Sequence, residues 1–321
     1  MGKLTGGSWT KPSRLVVIAI VIILIILPFL LDVSWVRTIT EFSILALFAM
    51  AYSLCLGQTG MFSFGHGGLF GLGVYALTLL VMKAGLPLPV ALIAAPIITG
   101  IGAIIIGWFC LRLTGLYFGI LTLAFSQLIW AAIWKMRWLT GGDDGIPGLP
   151  VPSFFDTPGK EYEYLFIVTI AVVAILIIRM IVNSPFGFTL KTIRENEKRA
   201  ATIGVNVKRY KLMAFTLSGL FTGLAGSLFS LFVRGAYVEF ATIHWSFQPV
   251  FAGVVGGLYT FTGPIFGAGF MFLINNFIGR LTEYWPFFAG VILIVVVLFL
   301  PNGIIGTIES MIKQRRVKST G

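Results

Sequence analysis

Long apolar runs separated by short polar stretches dominate this chain. A helix needs about 20 apolar residues to cross the hydrocarbon core of a bilayer. Ten runs qualify, at about 15–31, 39–56, 64–82, 88–111, 116–136, 164–182, 212–233, 246–260, 262–279 and 284–300. The pattern predicts an all-α polytopic membrane protein with about ten transmembrane helices. The eighth run is short and carries Pro249, Gly253, Gly256 and Gly257, so it reads as a re-entrant element as readily as a crossing. Glycine recurs at i and i+4 in Gly67/Gly71, Gly115/Gly119, Gly219/Gly223, Gly253/Gly257 and Gly263/Gly267. Such pairs let helices approach closely. Their placement in two halves of opposite sense is the pattern of a transporter with inverted repeats.

One polar stretch stands apart, the elbow from Asn183 to Lys211. It holds seven basic residues (Lys191, Arg194, Lys198, Arg199, Lys208, Arg209 and Lys211) against the acids Glu195 and Glu197. Short Lys/Arg-rich loops resist translocation, so this stretch is expected on the cytoplasmic side. Ser184-Pro185 is a helix start signal, Glu195 to Ile203 is rich in helix formers, and Gly204 is a stop. A solvated helix-turn-helix there would be a handle for a soluble partner; a plain positive-inside anchor accounts for the charge equally well.

Composition agrees with the run pattern. The chain is 57% hydrophobic and 11% charged with mean hydropathy +0.96, which excludes an ordinary soluble domain. The net charge of +11 would suggest nucleic acid in a soluble protein. Here the basic residues sit at the ends of apolar runs, so topology explains them and no nucleic-acid partner is expected. With ten crossings and the N-terminus inside, the inner side collects Lys3, Lys11, Arg14, Arg112, Arg179, the elbow basics and Lys313, Arg315, Arg316 and Lys318, sixteen of the 23. Both termini are therefore expected in the cytoplasm, with membrane lipid around residues 1–311 as one domain and 312–321 as a basic tail. Lys11 and Arg14 precede the first run in the order of a signal peptide, but the run is too long and lacks a cleavage site, so it reads as a membrane helix. Cys55 and Cys110 lie inside apolar runs and read as packing residues.

Chemistry is sparse. No Walker sequence occurs, so the chain does not itself hydrolyse nucleotide, and no cofactor or metal is expected on it. Asp32, Glu41, Glu239 and Glu283 all lie at predicted helix ends, which leaves no carboxylate relay at depth. The outer loop, 137–163, is turn-rich, and Asp143-Asp144 lacks the further oxygen ligands of a calcium loop. The polar cluster at membrane depth is the glycine-rich break 57–68, with Gln58, Thr59, Ser63 and His66. Polar groups on broken backbone normally line a cavity, because unpaired amides in lipid cost several kcal/mol each. Ser126, Gln127, Gln248 and the pair Asn275-Asn276 are further candidates, with interhelical hydrogen bonding the simpler role for each. A hydrogen-bonded structural role for His66 competes with a chemical one.

Several stretches resemble one family. GQTGMFSFGHGGLFGLGVYA at 57–76, RLTGLYFGILTLAFSQ at 112–127, TGGDDGI at 140–146, SPFGFTLKTIRENEKRAATIGVNVKRYKLMAF at 184–215 and GGLYTFTGPIFGA at 256–268 are similar to the permease subunits of branched-chain amino acid ABC importers, in the longer of the two permease types. Tyr259 and Phe261 stand where that family is expected to carry smaller or polar residues. The resemblance, which spans about Phe42 to Gly303, implies a type II ABC importer permease fold with inverted halves. It implies that Arg194, Glu195, Asn196, Glu197, Ala200, Ala201 and Gly204 are coupling contacts to an ATPase. Implied partners are a second homologous permease, two cytoplasmic ATPases carrying ATP and Mg, and an extracytoplasmic substrate-binding protein docking near 137–164. A permease for urea or short amides, an ion-coupled carrier, and a membrane-embedded enzyme are the alternatives.

Overall fold

The computed structural model of the chain describes residues 27–155, 160–278, 285–300 and 303–307. Most of the first expected span, 15–31, and the tail 312–321 lie outside the described residues.

The long helices follow the apolar runs. They are α1 (Val33–Thr59), α2 (His66–Met82), α3 (Leu88–Cys110), α4 (Gly115–Lys135) and, after the single turn α5 (Arg137–Thr140), α6 (Glu161–Val182). The elbow supplies α7 (Pro185–Glu195) and α8 (Glu197–Thr202). Then come α9 (Val207–Val233), α10 (Ile243–Gly256), α11 (Gly263–Ile278) and α12 (Trp285–Phe299). Among the described residues, α1, α3, α4, α6 and α9 are long and apolar enough to cross a membrane. The other four apolar helices are shorter; at about 1.5 Å per residue the 14 residues of α10 reach only about 21 Å. α1 begins earlier than the apolar run suggests, so Glu41 sits two turns inside the helix rather than at its end.

α9 is the axis of the bundle and packs against α1, α2 and α3. Its small residues allow this: a Cβ at Gly219 or Gly223 would strike Ala103 or Thr99 of α3, and one at Gly226 would strike the Phe70 carbonyl of α2. Contacts fix the directions. His66 and Thr78 of α2 meet Ser218 and Ser230 of α9, so these two helices are parallel, while α3 runs against them. The bundle thus has an end that carries α7 and α8, the elbow end, and an opposite cap end. On α3 the residues Val90, Ile93, Ile97, Ile101, Ile104 and Trp108 form an exposed apolar stripe at helical spacing, which suits hydrocarbon and not water.

Charge separates the two ends. Among the described residues, Arg112, Arg179 and the seven elbow basics face two acids at the elbow end. Arg37, Lys83, Lys135, Arg137, Lys160 and Arg234 are outnumbered at the cap end by Asp32, Glu41, Asp143, Asp144, Glu161, Glu163 and Glu239.

The cap is stapled to the bundle. Strands β1 (Ile146–Pro147) and β2 (Gly235–Ala236) pair antiparallel, with Ile146 opposite Ala236. Asp143 accepts from Trp134 Nε1 at 2.5 Å and faces Arg137 at 3.5 Å, and Arg234 reaches Glu163 at 3.4 Å. Asp143 therefore has a hydrogen-bond donor and one cation of its own, as a solvated turn residue does.

Candidate coupling elbow and buried polar seam

The elbow is built by caps. Ser184 Oγ accepts from Gly187 N at 3.4 Å, and Pro185 takes the first helical position, where a missing N–H costs nothing. The expected helix-turn-helix forms, with its break at Asn196, an extended residue inside the stretch of helix formers from Glu195 to Ile203. The Asn196 side chain accepts from Arg199 N at 2.9 Å and so starts α8. Asn206 caps α9 in the same way, from Arg209 N at 3.2 Å. Gly204 adopts φ +89°, a conformation that only glycine takes without strain, with open space beside it.

A small core holds the elbow rigid. Ile193, Ala200 and Val207 are buried together, with Val205 and Tyr210 packed on them. Of the residues singled out from sequence, Glu195, Asn196, Glu197, Ala201 and Gly204 are exposed. Ala200 is fully buried, so its small size serves the packing of the elbow itself. Arg194 turns inward, donating from Nη1 to the Gly57 carbonyl at the end of α1. Lys211 on α9 pairs with Glu197 at 2.6 Å and ties α8 down. Burial first, and then the neighbouring Arg194, hold the Lys191 ammonium below the usual lysine range. Sequence reasoning missed Ile203, a large apolar side chain 73% exposed at the C-cap of α8. Its signal was available, since Ile203 falls off the stripe that Ile193, Ala200 and Val207 define.

Above the elbow, the break 60–65 folds back into the bundle, so α2 starts well inside it. His66 is fully buried, its ring held at both ends: Nδ1 lies 3.1 Å from Ser63 Oγ and Nε2 lies 2.7 Å from Ser218 Oγ. Ser218 Oγ donates to the Ala51 carbonyl at 2.7 Å. That leaves it an acceptor for Nε2–H, which assigns the neutral tautomer with the proton on Nε2. The unpaired first-turn amides of α2 are taken up by other helices. Gly67 N donates to Ser246 Oγ of α10 at 3.2 Å, Gly68 N donates to Ser126 Oγ of α4 at 2.8 Å, and the two hydroxyls are 3.3 Å apart. The first turns of α2 and α10, 179 residues apart in sequence, therefore meet at mid-depth.

The remaining sequence candidates scatter around this seam. Gln127 adjoins Ser126 on α4, and Gln248 sits one turn from His244, whose Nε2 is 3.3 Å from its Nε2. Gln58 is buried with Oε1 lacking a partner, as is Gln127 Nε2. Thr59 lies further toward the elbow, and Asn275 and Asn276 lie on α11. Thr59, Gly60, Phe64, Phe118, Arg194 and Lys211 are among the walls of a half-open cavity of about 600 Å³ between the seam and the elbow. Its upper wall is apolar and its rim charged.

Comparisons with known proteins agree with these features. The permease protein LivM of the high-affinity branched-chain amino acid transport system is 24% identical over 343 residues in both Salmonella typhimurium and Escherichia coli, covering 98% of this chain and 80% of the relative. The autoinducer 2 import system permease protein LsrC of Salmonella paratyphi B is 29% identical over 251 residues, covering 71% of this chain and 67% of the relative. No solved structure matches the chain. The family model described as the branched-chain amino acid transport system permease component matches residues 34–297, from the first turn of α1 to the last turn of α12, and the chain belongs to that family.

Proposed function

We propose that this chain is the membrane-spanning permease subunit of an ATP-driven importer that moves leucine, isoleucine, valine or similar small solutes into the cell by alternating access. The observation that carries the reading is the elbow: a basic, two-helix arm, with Glu197, Ala201, Ile203 and Gly204 exposed on it, seated through Leu190 on the end of a bundle otherwise made of apolar helices. It is a docking handle for an ATPase, with small residues allowing close approach and charges fixing orientation.

Ten crossings in two inverted halves account for the bundle. α1, the break 60–65 and α2 run from cap to elbow and back. α9, the link 234–242 and α10 run the opposite way, and both breaks end in a helix that starts at mid-depth. The positive-inside rule puts the elbow end and both termini in the cytoplasm of a cell-membrane protein. Two ATPases with their ATP and Mg, a second homologous permease, and a binding protein on the cap complete the machine. Among the described residues no group of three or more His, Cys, Asp or Glu could hold a metal ion, and in this reading the ATP chemistry belongs to the ATPases. Gln58, Thr59, Ser63, His66, Gln127 and Gln248 remain the candidates for the path, with the cavity as its inner mouth. A corridor with few charges suits a leucine-like zwitterion, and the binding protein then sets most of the specificity.

The test is reconstitution of the assembled complex in liposomes with radiolabelled leucine. ATP-dependent uptake competed by valine and not by urea is expected. Uptake by the lone chain without ATPases would instead make it a secondary carrier. Competition by urea, or inertness toward leucine, would move the substrate to another solute, as the likeness to an autoinducer 2 permease allows.

A further inference from the structure

The turn 257–262 joins α10 to α11 at the elbow end, and two arginines from the elbow side lie over its aromatic rings. Arg194, on the last turn of α7, has its guanidinium carbon 4.7 Å from the ring centre of Tyr259. Arg179, on the last turn of α6, has its own 5.6 Å from the ring centre of Phe261. Planar guanidinium on an aromatic face is a directional contact, held by the ring quadrupole and by stacking. Tyr259 is 62% exposed, and burial of its ring does not by itself account for an aromatic side chain there.

The turn is also backed by close packing. A Cβ at Gly57 would lie 2.6 Å from the Leu258 carbonyl oxygen, so the last turn of α1 and this turn touch through backbone. Gly303 presses equally close on Gly257. Arg194 thus forks, its hydrogen bond going to Gly57 and its face to Tyr259, and it binds elbow, α1 and turn at one point. From the turn, α10 runs back past Pro249 to Ser246, the partner of Gly67 in the mid-depth seam.

We infer that the Arg194–Tyr259 and Arg179–Phe261 stacks are the joint through which movement of the elbow reaches α10 and α11, making Tyr259 and Phe261 positioning residues of the transport cycle. This rests on the proposed function, since only an elbow that is moved from outside has motion to pass on. Packed elements have discrete arrangements, so a displacement of α7 carried by Arg194 shifts the turn and with it the inner end of α10. Without the stacks the ATPase still binds and cycles, but its strokes are lost at the turn.

The experiment compares ATP hydrolysis and leucine uptake side by side in the reconstituted complex. Tyr259→Leu is expected to leave ATPase association and hydrolysis within about twofold of the parent while uptake per ATP falls about tenfold, a change within the range of coupling between sites. Tyr259→Phe, which keeps the ring, is expected to retain the parent ratio. Phe261→Leu reads the second stack by the same ratio, and serves alone should Tyr259→Leu not assemble. Unchanged uptake per ATP in both leucine variants overturns the joint while leaving the proposed function intact. Tyr259→Phe failing as badly as Tyr259→Leu also overturns it, because the ring is then not the carrier. Uptake by the parent chain without an ATPase overturns both.

Discussion

His66 and Ser218 hold two distant parts of the chain together: Nε2 sits 2.7 Å from Oγ between α2 and α9, and both residues are fully buried. The same hydroxyl donates to Ala51 O, a carbonyl that also accepts within α1, so Ser218→Ala strands the imidazole N–H while Ala51 O keeps its helical hydrogen bond. An interhelical hydrogen bond in a membrane averages about 0.6 kcal/mol. Stranding a buried polar group costs about 1–3 kcal/mol. Ser218→Ala should therefore destabilise by about 1–2 kcal/mol. Ser230→Ala, which removes one hydroxyl from a Thr78 that keeps the Val74 carbonyl, should cost about 0.6 kcal/mol. Thermal unfolding of the two variants in detergent ranks them.

Gly67→Ala should be far more damaging than its one methyl suggests. The added Cβ would lie 2.9 Å from the Trp245 carbonyl carbon and closer still to Ser246 N and Oγ, so α2 and α10 would have to separate where they meet. Overpacking of this kind costs about 1–3 kcal/mol, and here it also breaks the Gly67–Ser246 hydrogen bond. A sharp loss of folded protein in detergent is expected. Gly85→Ala, at a loop position with open space, meets no neighbouring atom and carries only the left-handed strain of its φ of +66°, about 1 kcal/mol, so it should still fold and transport.

The apolar runs located nine of the helices to within a few residues, because a membrane helix must hide its backbone within one contiguous segment. Length and hydropathy therefore mark it directly. The elbow's start at Ser184-Pro185 was legible for the same local reason, its caps being neighbours in sequence. The break at Asn196 was not, since a single side chain choosing to cap α8 competes with strong helix formers on either side. Nor was the role of Ala200, whose small size fits an inward and an outward face equally. The mid-depth seam was legible only in part: the glycine-rich break and Ser126 stood out. Their pairing with Ser218 and Ser246 depends on contacts 120 or more residues apart that no local pattern encodes.

Ile203 should anchor the partner of the elbow. Large apolar side chains at the centre of an interface often contribute 2 kcal/mol or more, and Ile203, 73% exposed, is not a member of the buried core of the elbow, Ile193, Ala200 and Val207. Ile203→Ser is expected to weaken ATPase association about thirtyfold, the equivalent of about 2 kcal/mol, without lowering the melting temperature of the isolated chain. Pull-down of the ATPase by purified permease, with unfolding measured in parallel, checks both halves of the statement. A matched loss of stability and association would assign Ile203 to the fold instead.

The charge difference between the two ends makes a prediction about sidedness that needs no partner protein. The elbow end carries nine basic residues against two acidic ones among the described residues, whereas the cap end is close to neutral. Lys and Arg near helix ends resist export, so the elbow belongs inside and the cap outside. The native cysteines Cys55 and Cys110 are fully buried and give little background labelling. Ile203→Cys and Trp138→Cys place thiols at sites 73% and 77% exposed at opposite ends. In intact cells a membrane-impermeant maleimide should label Trp138→Cys and spare Ile203→Cys, and after lysis it should label both. Labelling of Ile203→Cys from outside would invert the topology and, with it, remove the elbow from the reach of any cytoplasmic ATPase.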